Sequence, residues 1–345
     1  MIEAIGCVRL KTGEALRMAA VAAPAGGYAR RIRRFLEHKG QPWLLHVDLA
    51  NRGLTDQLAT TFYIGTLRRT IVGNVMIVDD GRVGILGHVF TAPEHRRKGV
   101  CQHLMEAALG HYRARGGRVL TLGTTFESPA YWIYHGLGFR SVAPGNGHMI
   151  YEAVPGAMAD WFAPSRLHAE QARWQHWPGI SLLFMNAGGD RIRSFAHGVM
   201  GPDGFEGGFL DFQARRERVG GQLNVLLNEE GAVCGAAGIE RDTRWPGGVY
   251  ILDLFVHPCF RGQERLLLRS VSLPRGAKVM AYLDRPSRQR ACTLRQAGFR
   301  REATLRHQLA SPLGSIDVLV YSLAGRSAAC GGPASTQGVE VKRAP

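Results

Sequence analysis

Ile85-Leu86-Gly87-His88-Val89-Phe90-Thr91-Ala92-Pro93-Glu94-His95-Arg96-Arg97-Lys98-Gly99-Val100-Cys101 is an apolar, strand-like run that breaks at a proline, turns through three basic residues and opens a helix. A basic turn with a glycine at a helix start has a physical use. The first amides of the helix lack intrahelical partners, the helix dipole adds partial positive charge, and Gly99 lets the backbone come close to a ligand. Such a turn suits a pyrophosphate. Taken alone, residues 96–101 also read as a solvated basic helix start.

A second stretch follows the same plan: Tyr250-Ile251-Leu252-Asp253-Leu254-Phe255-Val256-His257-Pro258-Cys259-Phe260-Arg261-Gly262. Downstream, Gly136-Leu137-Gly138-Phe139-Arg140 is matched by Gln296-Ala297-Gly298-Phe299-Arg300. The proline-to-phenylalanine separation is 46 residues in the first copy (93 to 139) and 41 in the second (258 to 299). Two matched pairs in one order at similar separation predict a duplicated domain. Around them the pattern predicts a helix over 28–39, strands over 61–65 and 71–78, and the tight turn Asp79-Asp80-Gly81 into the strand ending at Thr91. A helix is expected over 99–115, with Leu104, Ala108 and Tyr112 on one face and Gly116-Gly117 as its stop. A strand at 119–123, a short helix at 129–135 and a hairpin over 140–152 close the first copy. The second copy is read as strands at 222–227, 232–239 and 249–256, a helix at 264–271, a strand at 278–283, a helix at 287–296 and a hairpin ending near residue 323. The expected boundaries are residues 1–155 for the first domain, 156–174 for a linker with a helix over 165–174, 175–323 for the second domain and 324–345 for a disordered tail.

Composition sets outer limits. With 43 Lys+Arg against 28 Asp+Glu the chain carries +15, and only five of the 43 are lysine. Residues 1–150 hold 19 basic and 10 acidic residues, so +9, which leaves +6 for the remainder. An excess spread in this way favours an anionic partner such as nucleic acid, a phosphorylated cofactor or an acidic surface, or reflects base composition alone. No run approaches the ~18 uninterrupted apolar residues of a membrane span. Arg17 interrupts the small-residue stretch 15–27, and Glu3 and Glu14 stand where a basic leader would be, so a soluble cytoplasmic protein is expected. The six cysteines (Cys7, Cys101, Cys234, Cys259, Cys292, Cys330) form no CxxC pair, and His257 and Cys259 lack further ligands. No metal is expected, and the thiols read as free in a reducing compartment.

Residues 96–101 resemble motif A of the GNAT superfamily of acyl-CoA-dependent N-acyltransferases, whose loop reads (Gln/Arg)-x-x-Gly-x-(Gly/Ala). Arg96 and Gly99 match, and Cys101 departs from the final small residue. The family's Ala-x-x-(apolar)-Tyr-x-x-x-Gly-Phe helix is matched by Ala130 through Tyr134 to Gly138-Phe139. The resemblance covers nearly all of residues 1–155. It implies an α+β fold of two tandem GNAT-like domains, each a mixed, mostly antiparallel sheet flanked by helices. It further implies that Val89, Phe90 and Thr91 pair with the pantetheine arm of acetyl-CoA and that Arg96, Arg97, Lys98, Gly99, Val100 and Cys101 hold the pyrophosphate. Tyr134 takes the role of acid toward the departing thiolate; a phenol stays protonated at neutral pH yet can donate. The alternative for Tyr134 is a core aromatic.

The base is less obvious. By period-two alternation His88 points away from the face of Ile85, Gly87 and Val89, unless a bulge, frequent in this strand of the family, reverses the parity. Glu127, at the end of the next strand, is the other candidate, or a surface or capping carboxylate. In the second copy Glu264 falls opposite Gly99, Leu266 opposite Cys101 and Leu294 opposite Tyr134, so this copy reads as degenerate. The expected activity is direct transfer of an acetyl group from acetyl-CoA to a primary amine of a small molecule or peptide. A non-catalytic acyl-CoA sensor is the alternative. Nucleic-acid binding has only the net charge behind it, since no interleaved aromatic and basic pattern is present.

Overall fold

The computed structural model describes residues 1–311 and 314–325. Cys330 and most of the expected tail lie outside them. In the first half the strands are β1 (Ile2–Arg9), β2 (Ala15–Ala22), β3 (Ala59–Leu67), β4 (Thr70–Asp79), β5 (Val83–Thr91), β6 (Val119–Gly123), β7 (Arg140–Ser141) and β8 (His148–Glu152). The helices are α1 (Ala29–Phe35), α2 (Trp43–Asn51), α3 (Val100–Ala114) and α4 (Pro129–Gly136). The strands form one sheet in the order β1-β2-β3-β4-β5-β6-β8-β7. Its parallel pair, β5 with β6, runs for three residue pairs, from Val83 opposite Val119 to Ile85 opposite Thr121. Beyond that point the two strands part.

Local chemistry explains these elements. In β2, buried Leu16 and Met18 alternate with the more exposed Ala15, Arg17 and Ala19, the period of a half-buried strand. The β4–β5 turn is closed by carboxylates: Asp79 accepts from the Gly81 amide, and Asp80 from those of Arg82 and Val83. In α3 the stripe Leu104, Met105, Ala108, Leu109 and Tyr112 is buried against the sheet. The helix expected over 28–39 ends at Phe35 and continues as a single 3-10 turn at Glu37–Lys39.

The second half contains α5 (Ala157–Trp161), β9 (His168–Gln171), α6 (Trp177–Met185), β10 (Ile192–Ser194), β11 (Val199–Met200), α7 (Glu206–Val219), β12 (Gln222–Leu227), β13 (Val233–Arg241), β14 (Val249–Val256), α8 (Glu264–Arg269), β15 (Lys278–Asp284), α9 (Arg288–Gln296), β16 (Arg300–Ser311) and β17 (Gly314–Leu323). No helix covers 165–174. That stretch instead gives β9, which pairs with β12, because the extended run lies along a free sheet edge. The large sheet has the order β16-β17-β15-β14-β13-β12-β9. Read from β9 it repeats the first sheet strand for strand from β2. Again the parallel pair, β14 with β15, covers three residue pairs, Val249 with Lys278 to Ile251 with Met280.

Between the two sheets lies α6, every residue of which is buried. It touches β5 and β6 of the first sheet and β13 of the second. A helix that is apolar on all sides fits only where neighbours cover it all round. Gly179 is required there, since a Cβ would stand 2.6 Å from Val233 Cγ2. Among the described residues no helix is long and apolar enough to cross a membrane.

Candidate active site

The site begins where β5 leaves β6. Past Ile85 the β6-facing edge of β5 has no strand partner, so the backbone from Leu86 to Thr91 is open on one side. The other edge stays on β4 but is bulged. Met76 opposes Gly87 and Asn74 opposes Phe90, so Val75 faces both His88 and Val89. His88 takes φ +48 there, a left-handed conformation uncommon for a side-chain-bearing residue. The parity inferred from simple alternation is therefore reversed at this point. The His88 ring meets the edge of Trp43 on α2, with centroids 6.4 Å apart. Burial, then the charges of Lys39 and His38, lower its pKa to about 3.

The gap opens into a cleft of about 910 Å³ between α3 and α4. Of the nine residues expected at the cofactor, Val89, Phe90, Thr91, Arg96, Arg97, Gly99, Val100 and Cys101 line it, and half-buried Lys98 does not. The turn before α3 is shaped by Arg97 at φ +61 and Gly99 at φ +94, and both residues line the cleft. Gly99 is the helix N-cap and offers no side chain, so the leading amides of α3 stay available. Arg96 folds back, its Nε donating to Thr91 O at 3.2 Å, with its guanidinium 5.9 Å over the Phe90 ring. The donor set of strand edge, positive turn and two exposed guanidiniums fits a pantetheine amide followed by a pyrophosphate.

Tyr134 is 7% exposed and packs its ring against Phe139, with centroids 6.1 Å apart. It lies one layer behind the cleft lining, beside the Cys101 thiol. Burial chiefly, and then Cys101, raise its pKa, so the phenol keeps its proton throughout the neutral range. Glu127 is exposed at φ +56, just before Ser128, which caps α4 by accepting from the Tyr131 amide. The cleft includes Ser128 but not Glu127. The structure thus brings eight of the nine residues expected at the cofactor to one cleft, leaves Lys98 out of its lining, sets Tyr134 behind it, puts His88 on the far face of the sheet and leaves Glu127 at the surface. Among the described residues no cluster of three or more His, Cys, Asp or Glu side chains could hold a metal ion.

Residues 30–139, from α1 to the phenylalanine that packs on Tyr134, match the model of the acetyltransferase (GNAT) family. This segment is a GNAT acetyltransferase domain. No curated relative matches the chain. Among solved structures the chain resembles an N-acetyltransferase from Staphylococcus aureus Mu50, at 18% identity and a TM-score of 0.38 over 46% of this chain and 99% of that one. A phosphinothricin acetyltransferase from Sinorhizobium meliloti in complex with AcCoA gives 17% identity and a TM-score of 0.40, covering 49% and 94%. A ribosomal-protein-S5-alanine acetyltransferase from Vibrio fischeri gives 16% and 0.36, covering 48% and 97%.

The corresponding place in the second sheet is built shut. Glu264, 3% exposed, turns its Oε2 back to accept the Gly262 amide at 2.8 Å, so a carboxylate of the chain sits in the turn. The strand gap is filled by Arg290 of α9, also 3% exposed, which donates to Ile192 O at 2.8 Å and Leu254 O at 2.9 Å. Its Nη2 reaches Asp284 Oδ1 at 3.0 Å, and Asp284 in turn accepts from the Arg191 and Ile192 amides. Helix α8 has six residues where α3 has fifteen.

Proposed function

We propose that this chain is an N-acetyltransferase that carries the acetyl group of acetyl-CoA directly to a primary amine of a small molecule or peptide. The observation that carries the reading is the one-sided edge of β5, open from Leu86 and ending on the Arg97–Gly99 turn. That edge offers hydrogen bonds to an extended amide chain and the turn offers positive charge to a diphosphate, in sequence along one cleft. Bound there, acetyl-CoA supplies an activated thioester. Val89–Thr91 orient it, the amides and guanidiniums of 96–101 hold its phosphates, and Tyr134 keeps a proton ready for the leaving sulfur.

The second half is a closed copy of the same domain. The shared strand order, the equally short parallel pair, Glu264 in the turn and Arg290 in the gap all support this. One acetyl-CoA per chain is therefore expected, and calorimetric titration tests it. Gly99→Glu should abolish the binding heat: a carboxylate about 4–5 Å from a phosphate charge costs roughly 3–4 kcal/mol at an effective dielectric near 20, beyond the strain at φ +94. Two equivalent sites would refute the closed copy, and full binding by Gly99→Glu would refute the phosphate turn. Thiol release from acetyl-CoA across pooled amines then identifies the acceptor.

A further inference from the structure

On the face of the first sheet away from the cofactor cleft, the second half of the chain presents a half-buried carboxyl with one oxygen shut in and unpartnered. Glu206 opens α7, and its Oε1 is shut off from solvent with no partner among the described residues. Beside it stands His148 of β8, whose Nε2 lies 2.5 Å from Asp203 Oδ1 and whose Nδ1 is equally buried and unpartnered. His148 pairs with Gly123, the last residue of β6, and its ring lies 3.1 Å from where a Gly123 Cβ would be. These groups therefore flank one lip of the β5/β6 gap. The other lip is the bulge. Asn74, 1% exposed, donates to His88 O and leaves its own Oδ1 unpartnered. Trp43 bridges the two sides, touching the His88 ring and standing 3.7 Å from the Cβ position of Gly207 in α7. A buried polar atom left without a partner is unfavourable, and these three lie along the two sides of the gap, where a polar ligand group would satisfy them.

We propose that the acceptor amine, a primary alkylammonium, binds between the two halves of the chain, and that Glu206 of the second half takes its first proton. This rests on the acyltransferase reading above. The ammonium gives one N–H proton to the Glu206 carboxylate, and the free nitrogen pair attacks the thioester carbon. As the N–C bond forms and the C–S bond breaks, the sulfur takes the Tyr134 proton and the nitrogen's second proton returns to the phenolate. One proton in all leaves through Glu206. Burial raises Glu206 to about 7, against the opposing charge of His148, which places it near a useful operating point. Burial lowers His148, but the Asp203 hydrogen bond and charge outweigh it and hold the ring above its ordinary value. His88, at about 3, is too weak a base for an alkylammonium.

The test is thiol release from acetyl-CoA by the full chain, with a panel of primary alkylamines from about pH 6 to about pH 9 and with hydroxylamine, a much weaker base that is mostly neutral at and above about pH 7, over the upper part of that range. Wild type should lose alkylamine kcat/KM below a limb near 7. Glu206→Gln should lower it ~10²–10³-fold and remove the limb, while hydroxylamine turnover stays within about threefold. Unchanged acetyl-CoA affinity shows that the variant is folded. Glu206→Asp, which retains a carboxyl, should keep the limb at a reduced rate. Alkylamine turnover and limb both retained in Glu206→Gln, or hydroxylamine lost equally, would overturn the proposal and leave acyl transfer standing. Should neither variant bind acetyl-CoA, the wild-type profile decides, and a missing limb overturns it. Wild type that binds acetyl-CoA and releases no thiol with any amine overturns the functional reading, and this proposal with it.

Discussion

Replacing Arg290 with methionine keeps much of the side-chain volume and removes one buried guanidinium. The structure sets what is lost. Two carbonyls, Ile192 O and Leu254 O, lose their donor, and the Asp284 carboxylate, 3% exposed, loses its cation. Asp190 loses an ion-pair contact of 2.7 Å whose angle does not make it a hydrogen bond. Breaking a buried pair from one side costs roughly 3–5 kcal/mol, and the orphaned carbonyls add to it. The Arg191 and Ile192 amides still serve Asp284, so the total should fall near 4–6 kcal/mol. That approaches the whole margin of an ordinary domain. Urea unfolding followed by tryptophan fluorescence measures it as a lowered midpoint. Asp284→Asn in the methionine background should recover part of the loss by removing the unpaired charge. A loss below about 1 kcal/mol would refute the view that Arg290 holds the second gap closed.

Two further outcomes follow from other buried groups. Tyr134→Phe should leave acetyl-CoA affinity nearly unchanged and lower turnover roughly 10²–10⁴-fold when single-turnover kinetics show chemistry to be limiting. Leu294→Ala, at the matching place in the second half, should affect stability alone. His46 is fully buried against Thr60 and the Trp177 ring, and burial followed by the His88 charge brings it from 6.5 to about 3. Between those values the unfolded chain binds a proton that the folded chain refuses, so stability should fall as pH drops from about 6.5 toward about 3, by roughly 4–5 kcal/mol at most. In His46→Gln this slope should flatten, as read from unfolding midpoints across that range.

What could be read from the chain alone followed its local signals. Gly99, the Asp79-Asp80-Gly81 turn and the stripe on α3 stand where the sequence puts them, since caps, turns and periodicity are decided within a few residues. The strands Gln222–Leu227, Val249–Val256 and Val119–Gly123 carry the limits expected of them. The features that escaped are tertiary. The bulge at His88 is an extra residue forced into β5 by its pairing with β4; no spacing in the sequence announces it, and only the family resemblance raised it as an alternative. Helix α6 has no polar face, so its pattern shows no period; only a second sheet on its far side makes it a helix. Glu206 passed unnoticed because a carboxylate at a helix start is ordinarily a solvated cap, and the groups that meet this turn, His148 and Trp43, lie more than fifty residues upstream.

Because α6 serves as core to both sheets, the first sheet is not finished when its own last strand has been made. Glu152 closes the strand set, yet the cover for Ile85, Met76 and Val78 is encoded at Trp177, Ile180 and Phe184. At ~5–20 residues per second a ribosome needs seconds to make that stretch, and longer to bring it clear of the exit tunnel. Throughout that interval the nascent first half presents an apolar sheet face to the cell, a natural binding surface for a chaperone. A gene split between Glu152 and Trp177 would make the exposure permanent.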